Sequence, residues 1–326
     1  MPRLPRLAGV ATAVLALGLV AAAPATGAEP LVTDARILTH FDLAAGQTPE
    51  NIALERDGSA DLTFAYARQI AHITLDGDLE IRATLPDVAN PDTPVVHSAL
   101  VTGIARAHDG TLYVNYATGT SRTGVWRIPR DGGTPVQIAR LPDDGLPNGL
   151  ALDERHGVLY VADSALGTVW RVPRSGGKAT AWARDTALDP LPAPPASGFG
   201  ANGIKIHGNA VWVSDTDRGT LLRIPFGPGR SAGAVETRAS GLAGIDDFTF
   251  PGRGDSALAA LNDTSRVVLV RRDGTRTVAL TQADGLSNPT SVAVRGRTVY
   301  VPSAAYLTQR DPNLLLARLR HLLGRV

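Results

Sequence analysis

The chain has 326 residues, 32 basic against 31 acidic side chains, 44% hydrophobic residues and no cysteine. Nothing in that length reads as an interdomain linker, so one large closed β unit is the better starting point. Balanced charge offers no footprint for nucleic acid or an anionic membrane, and the lack of cysteine excludes disulfides, thiol nucleophiles and thiolate metal sites.

The chain opens on a targeting pattern. Arg3 and Arg6 form a basic start, an apolar run extends from Leu7 to about Ala23, and Thr26-Gly27-Ala28 supplies small residues for cleavage. Residues 1–28 are therefore expected to be a signal peptide cleaved near Ala28, and the protein to be secreted. The apolar stretch is short for a membrane anchor, and no later run is long and apolar enough to span a bilayer. Loss of Arg3 and Arg6 leaves 30 basic against 31 acidic groups. Residues 31–326 are read as a single domain.

That domain is one short all-β unit repeated. The first copy starts at Pro49-Glu50-Asn51-Ile52, with strands over 62–66 and 69–74. The second has Thr102-Gly103-Ile104, Leu112-Tyr113-Val114 and Val125-Trp126-Arg127-Ile128. The third is clearest: Pro147–Leu152, Val158–Asp163, Thr168–Pro173 and a strand from Lys178 to Ala183, parted by Gly- and Asp-containing turns. A Pro-rich insertion, Asp189–Gly200, precedes the fourth copy and reads as a lid at the channel mouth or a surface loop. The fourth copy has Asn202–Lys205, Val211–Asp215 and Leu221–Pro225. The fifth starts at Ile245-Asp246-Asp247 and the sixth at Pro289-Thr290-Ser291. Positions 50, 102, 148, 202, 246 and 290 are thus equivalent, at spacings of 52, 46, 54, 44 and 44 residues, the range of four-stranded propeller blades.

The expected fold is an all-β six-bladed β-propeller, closed by pairing of N- and C-terminal strands in the last blade. Residues 312–326 have the look of an amphipathic helix. However, Leu316-Ala317-Arg318-Leu319 falls where Val169-Trp170-Arg171-Val172 falls in the third copy, so a third strand is predicted there. The segment 35–43 would supply the outer strand, which removes free edges.

In a propeller the innermost strands line the channel, and their first residues face one mouth. Here those residues are Glu50, Thr102, Asn148, Asn202, Asp246 and Thr290. Two carboxylates, two amides and two hydroxyls offer oxygen ligands to a hard divalent cation such as Ca²⁺ or Mg²⁺, with Glu50, Asn148, Asn202 and Asp246 as ligands. Asn-Gly and Asp-containing pairs are also turn formers, so the spacing alone leaves both readings open.

The order Glu50, Asn148, Asn202, Asp246 over residues 45 to 320 resembles the SMP-30/gluconolactonase/LRE-like family of six-bladed propellers, in the calcium-dependent phosphotriesterase superfamily. The resemblance implies a metal-dependent hydrolase of a lactone or related small ester, with Asp246 both metal ligand and general base. The implied ion is Ca²⁺, with Mg²⁺, Mn²⁺ and Zn²⁺ as alternatives, and no other cofactor. The partner would be a small-molecule substrate, with no nucleic acid, no membrane after signal cleavage, and a monomeric protein. Thr102, Thr290 and His97 are further residues expected at the channel mouth.

This chain departs from the family pattern in three places. It has Glu50-Asn51-Ile52 for Glu-Gly-Pro, Asp246-Asp247 for Asp-Gly, and Leu146 where sugar-acid lactonases carry Arg. Gluconolactone is therefore not singled out among the lactones as the substrate. Strand alternation should point Asp247 away from the site, leaving it a reserve base. A non-catalytic propeller with a structural cation is the alternative, and a metal-free propeller of the strictosidine-synthase kind is a third. No His-Glu-x-x-His sequence is present. Asp163, Asp215 and Asn262 are read as hairpin caps at the ends of second strands, and Trp126, Trp170 and Trp212 as blade core.

Overall fold

A computed structural model of the chain describes residues 29–320. The expected signal peptide, residues 1–28, lies outside them, as do residues 321–326. The described chain forms six four-stranded antiparallel sheets, arranged as the blades of a propeller.

Blade three shows why the sequence folds this way. Its strands are Pro147–Asp153, Val158–Asp163, Thr168–Pro173 and Thr180–Arg184, paired in that order. The first two are buried almost throughout, because both sheet faces pack on neighbouring blades. In the third strand Trp170 and Val172 face inward while Arg171 between them is exposed. The outermost strand is mostly exposed. Continuous apolar runs near the axis thus give way to alternation further out, as burial requires. Between the first two strands Asp153 caps the turn at Glu154–His156, and Gly157 takes the left-handed φ of 63° that closes it.

Neighbouring blades meet face to face. Tyr160 and Val158 of blade three pack with Val213, Leu222 and Ile224 of blade four, and Trp182 and Phe226 close the cluster from outside. Burying a side chain of that size contributes roughly 1.5–3 kcal/mol, so a stack of such interfaces supplies the stability that disulfides cannot. Trp126, Trp170 and Trp212 are blade core, at 3%, 8% and 1% exposure.

The ring closes through the last blade. Its inner strands are Ala293–Arg295 and Thr298–Ser303, its third is Asn313–Leu319, and its outer strand is Val32–His40 from the other end of the chain. Residues 313–319 are strand, as the repeat predicts, and Val32 pairs with Leu319 and His40 with Asn313.

Candidate functional site

The six predicted channel positions fall at structurally equivalent points. Pro147, Ala201 and Ile245 pair with Asp163, Asp215 and Leu261 at the mouth end of the first two strands, and Asn148, Asn202 and Asp246 follow them. Glu50, Thr102, Asn148, Asn202 and Asp246 line one cavity of ≈ 510 Å³ at the mouth.

The two asparagines are oriented by the blade that carries them. Asn148 Nδ2 donates to Ser164 Oγ at 3.2 Å, and Ser164 Oγ donates to Ala201 O at 2.7 Å. Likewise Asn202 Nδ2 donates to Thr216 Oγ1 at 2.9 Å, and Thr216 Oγ1 donates to Ile245 O at 2.8 Å. Each hydroxyl has one proton, already committed to a carbonyl, so it can only accept from the amide. That settles which end of each amide is nitrogen. Oδ1 of both side chains is left as the free acceptor in the cavity wall.

The carboxylates are equally constrained. Tyr306 Oη donates to Glu50 Oε2 at 2.6 Å, and Asn262 Nδ2 donates to Asp246 Oδ2 at 3.3 Å. Burial pushes the Glu50 carboxyl up to about 7, against the Tyr306 hydrogen bond and with help from the charge of Asp247. Asp246 is raised well above the usual carboxylate range by burial, then by Glu50 and Asp247, with hydrogen bonds from Asn202 and Asn262 opposing. Two buried acids, Glu50 adding to the proton affinity of Asp246, beside two fixed amide oxygens, form an all-oxygen donor set of the kind that holds a hard cation.

Asn262 is not one of a set with Asp163 and Asp215. The strand register makes Leu261 their counterpart, so Asn262 corresponds to Ser164 and Thr216 and faces Asp246. The other two are caps: Asp163 Oδ1 accepts from the amides of Leu146, Ala165 and Leu166, and Asp215 Oδ1 from that of Arg218.

Thr102 and Thr290 spend their hydroxyls on the neighbouring blade, donating to Pro147 O and Pro49 O, both at 2.8 Å. Thr102 still lines the cavity; Thr290 is fully buried and is not among the lining residues. His97 is also not a lining residue; its exposed ring pairs with Asp92 at 2.6 Å. The Pro-rich insertion is a fixed wall. The Asp217 carboxylate accepts from the amides of Leu191, Ser197 and Gly198 at 2.9–3.1 Å, and Ser197 and Phe199 face the cavity.

Asp247 points away from the cavity, as alternation predicts, into a buried polar layer beneath it. It is 1% exposed, and both its oxygens accept from Lys205 Nζ at 2.6 Å. Asn51 Nδ2 and Ser291 Oγ also donate to it, at 3.2 and 2.7 Å. With its lone pairs engaged there, it is not placed to act as a base.

One further acidic group lies elsewhere in blade one, where Glu55, Asp61 and His72 converge. Arg82 reaches Glu55 at 3.2 Å and Asp61 at 3.1 Å, and Arg106 pairs with Glu55. Two guanidinium groups already occupy that cluster, which makes it an ion-pair network.

No protein-family model matches the chain, and no curated protein matches it at a significant level. Solved structures match over most of its length. A calcium-binding protein, regucalcin, from Agrobacterium tumefaciens superposes with a TM-score of 0.63 at 16% identity, covering 90% of this chain and 96% of that one. A gluconolactonase from Xanthomonas campestris gives 0.62 at 17% identity, covering 89% and 96%. Virginiamycin B lyase from Staphylococcus aureus gives 0.55 at 15% identity, covering 88% and 99%. These names span different chemistries on one architecture, so what the likeness establishes is the fold. The chain is a six-bladed β-propeller of the fold shared with regucalcin and gluconolactonase.

Proposed function

We propose that the protein is a metal-dependent hydrolase of a lactone or related small ester. The observation that carries this reading is the donor set. Glu50, Asn148, Asn202 and Asp246 come from four different blades, line one cavity, and have both amides turned so that oxygen is the free end. The hydrogen bonds of the blades hold that orientation, and it leaves two amide oxygens beside two carboxylates, the donor set a hard cation requires.

Glu50, Asn148, Asn202 and Asp246 would hold the ion, Ca²⁺ by preference for an all-oxygen set. Such an ion supplies Lewis acidity toward a carbonyl and lowers the pKa of water. The protein's own groups do the rest. Asp246 accepts the proton of the attacking water, a role typically worth ~10²–10⁴-fold in rate. Asn262, donating to Asp246 Oδ2, keeps that carboxylate from rotating. Tyr306 holds Glu50 in the same way, and the loop carrying Phe199 walls off bulk water.

Metal analysis of the purified protein, followed by a lactone and ester panel with Asp246→Asn beside wild type, tests the reading. Bound Ca²⁺, measurable hydrolysis, and a loss of about 10²–10⁴-fold in the variant are expected. A metal-free protein without turnover sinks it. Bound metal without turnover on any substrate points instead to a binding propeller with a structural ion.

A further inference from the structure

The walls of the cavity differ in kind from its floor. Among the described residues that line it, the charged ones are Glu50, Asp246 and Asp263, all acidic, and no lysine, arginine or histidine is present. A sugar acid, a phosphate ester or any other anion would find no countercharge there beyond a bound cation.

The rim joins three exposed polar residues, Ser197, Asp263 and Gln309, to a group of exposed apolar ones. Tyr66, Val95 and Leu307 are 42%, 42% and 65% exposed, and all three line this cavity. They come from three separate loops, so the clustering does not follow from any one segment's sequence. Exposed apolar side chains gathered on one spot mark a binding surface. Phe199 continues the wall inward.

The backbone gives an independent sign. Val95 holds a φ of 68°, a conformation that a β-branched residue takes only at an energetic cost. A hydrogen bond from Val96 N to Pro94 O and another from His97 N to Thr93 O brace the strained turn. Its Cγ2 packs toward Gly198 of the Pro-rich insertion, where a Cβ would come within 3.0 Å of it. The fold therefore fixes an apolar side chain at the mouth against its backbone preference. A cavity of ≈ 510 Å³ has the size of a small-molecule site.

We propose that the substrate is neutral and carries an alkyl or aryl group, lodged against Tyr66, Val95, Phe199 and Leu307 while its polar end meets the floor. This rests on the hydrolase reading for its chemistry, but not for its binding preference. Leu307 and Phe199 are the specificity-determining residues.

The test uses the Ca²⁺-saturated protein and two hydrolysis-resistant probes in calorimetry, an octyl-substituted γ-lactam and a polyhydroxylated lactam. The octyl probe should bind at least about tenfold more tightly, since each buried methylene adds roughly two- to fourfold. Leu307→Asp, at an exposed position where folding is not at risk, should weaken the octyl probe several-fold and leave the polyhydroxylated one unchanged. Phe199→Ala should do the same. Equal or tighter binding of the polyhydroxylated lactam overturns the proposal, as does an octyl affinity indifferent to both substitutions. Tight octyl binding by a protein that hydrolyses no lactone removes the hydrolase reading and leaves this one standing. Hydrolysis with a preference for polyhydroxylated lactones does the reverse.

Discussion

In blades two, three and four the residue after the channel-mouth position is Gly103, Gly149 or Gly203, whereas in blades five, six and one it is Asp247, Ser291 or Asn51. The first arc is packed so closely that a Cβ on Gly103 or Gly149 would collide with the carbonyl oxygen of Asn148 or Asn202 in the next blade. The second arc has room for side chains, and fills it with a polar layer centred on Asp247 and neutralised by Lys205 from blade four. Strand approach is thus set by an absent side chain on one arc and by a buried hydrogen-bond network on the other. Asn51 and Asp247 are coupled across the second arc, because Asn51 Nδ2 donates to the Asp247 carboxylate.

Breaking the network should cost most. Lys205→Met leaves the Asp247 carboxylate buried without its countercharge, an effect of roughly 3–5 kcal/mol in a denaturant titration. Adding Asp247→Asn should recover a large part of the loss. A single-variant cost no greater than that of a surface substitution would mean that the layer is not what sets the second arc.

Crowding the glycine arc should cost less. Gly149→Ala forces a methyl into the carbonyl of Asn202, and overpacking of this kind costs typically 1–3 kcal/mol. Because that carbonyl belongs to a proposed ligand residue, Ca²⁺ affinity should fall in parallel, readable by calorimetry. An unchanged melting temperature would show that the arc can spread.

The smallest effect is the dependence on pH. Glu50 is raised from 4.5 unfolded to about 7 in the fold. Its neutral form is favoured, so without a cation its contribution is most favourable below 4.5 and is lost as pH rises through about 7. Ca²⁺ binding competes with that proton. Apparent affinity should climb as pH rises through about 7, and thermal stabilisation by Ca²⁺ should grow in step. Tyr306→Phe removes the hydrogen bond that lowers Glu50, so the midpoint should move upward. A flat profile between pH 5.5 and 8.5 would count against Glu50 as a ligand.

The architecture is legible because a repeat states the same physical instruction six times. Residues equivalent by spacing, such as Asn148 and Asn202, are equivalent in space. The features that escape such a reading lie in contacts between repeats or outside them. Tyr306 belongs to a loop with no counterpart elsewhere and meets Glu50 across 256 residues of sequence. Spacing puts Asn262 one residue out of register, and only the pairing of Ile245 with Leu261 assigns it to the place of Ser164 and Thr216. Thr290 occupies a repeat position, but its hydroxyl serves the seam with blade one. His97 precedes blade two closely enough to suggest the mouth, yet its positive φ of 53° and its pairing with Asp92 leave it on the outer side of the loop.

The pairing of Val32–His40 with Asn313–Leu319 has a consequence for the order of events in folding. A strand near the start of the described chain finds its partner only when residues close to the other end have been made. Every earlier blade can assemble from neighbours in sequence, at low cost in loop entropy, while residues 32–40 wait with an open ladder. The ring is therefore latched last, and a chain cut short near residue 312 would expose that ladder as a sticky edge rather than lose a single blade.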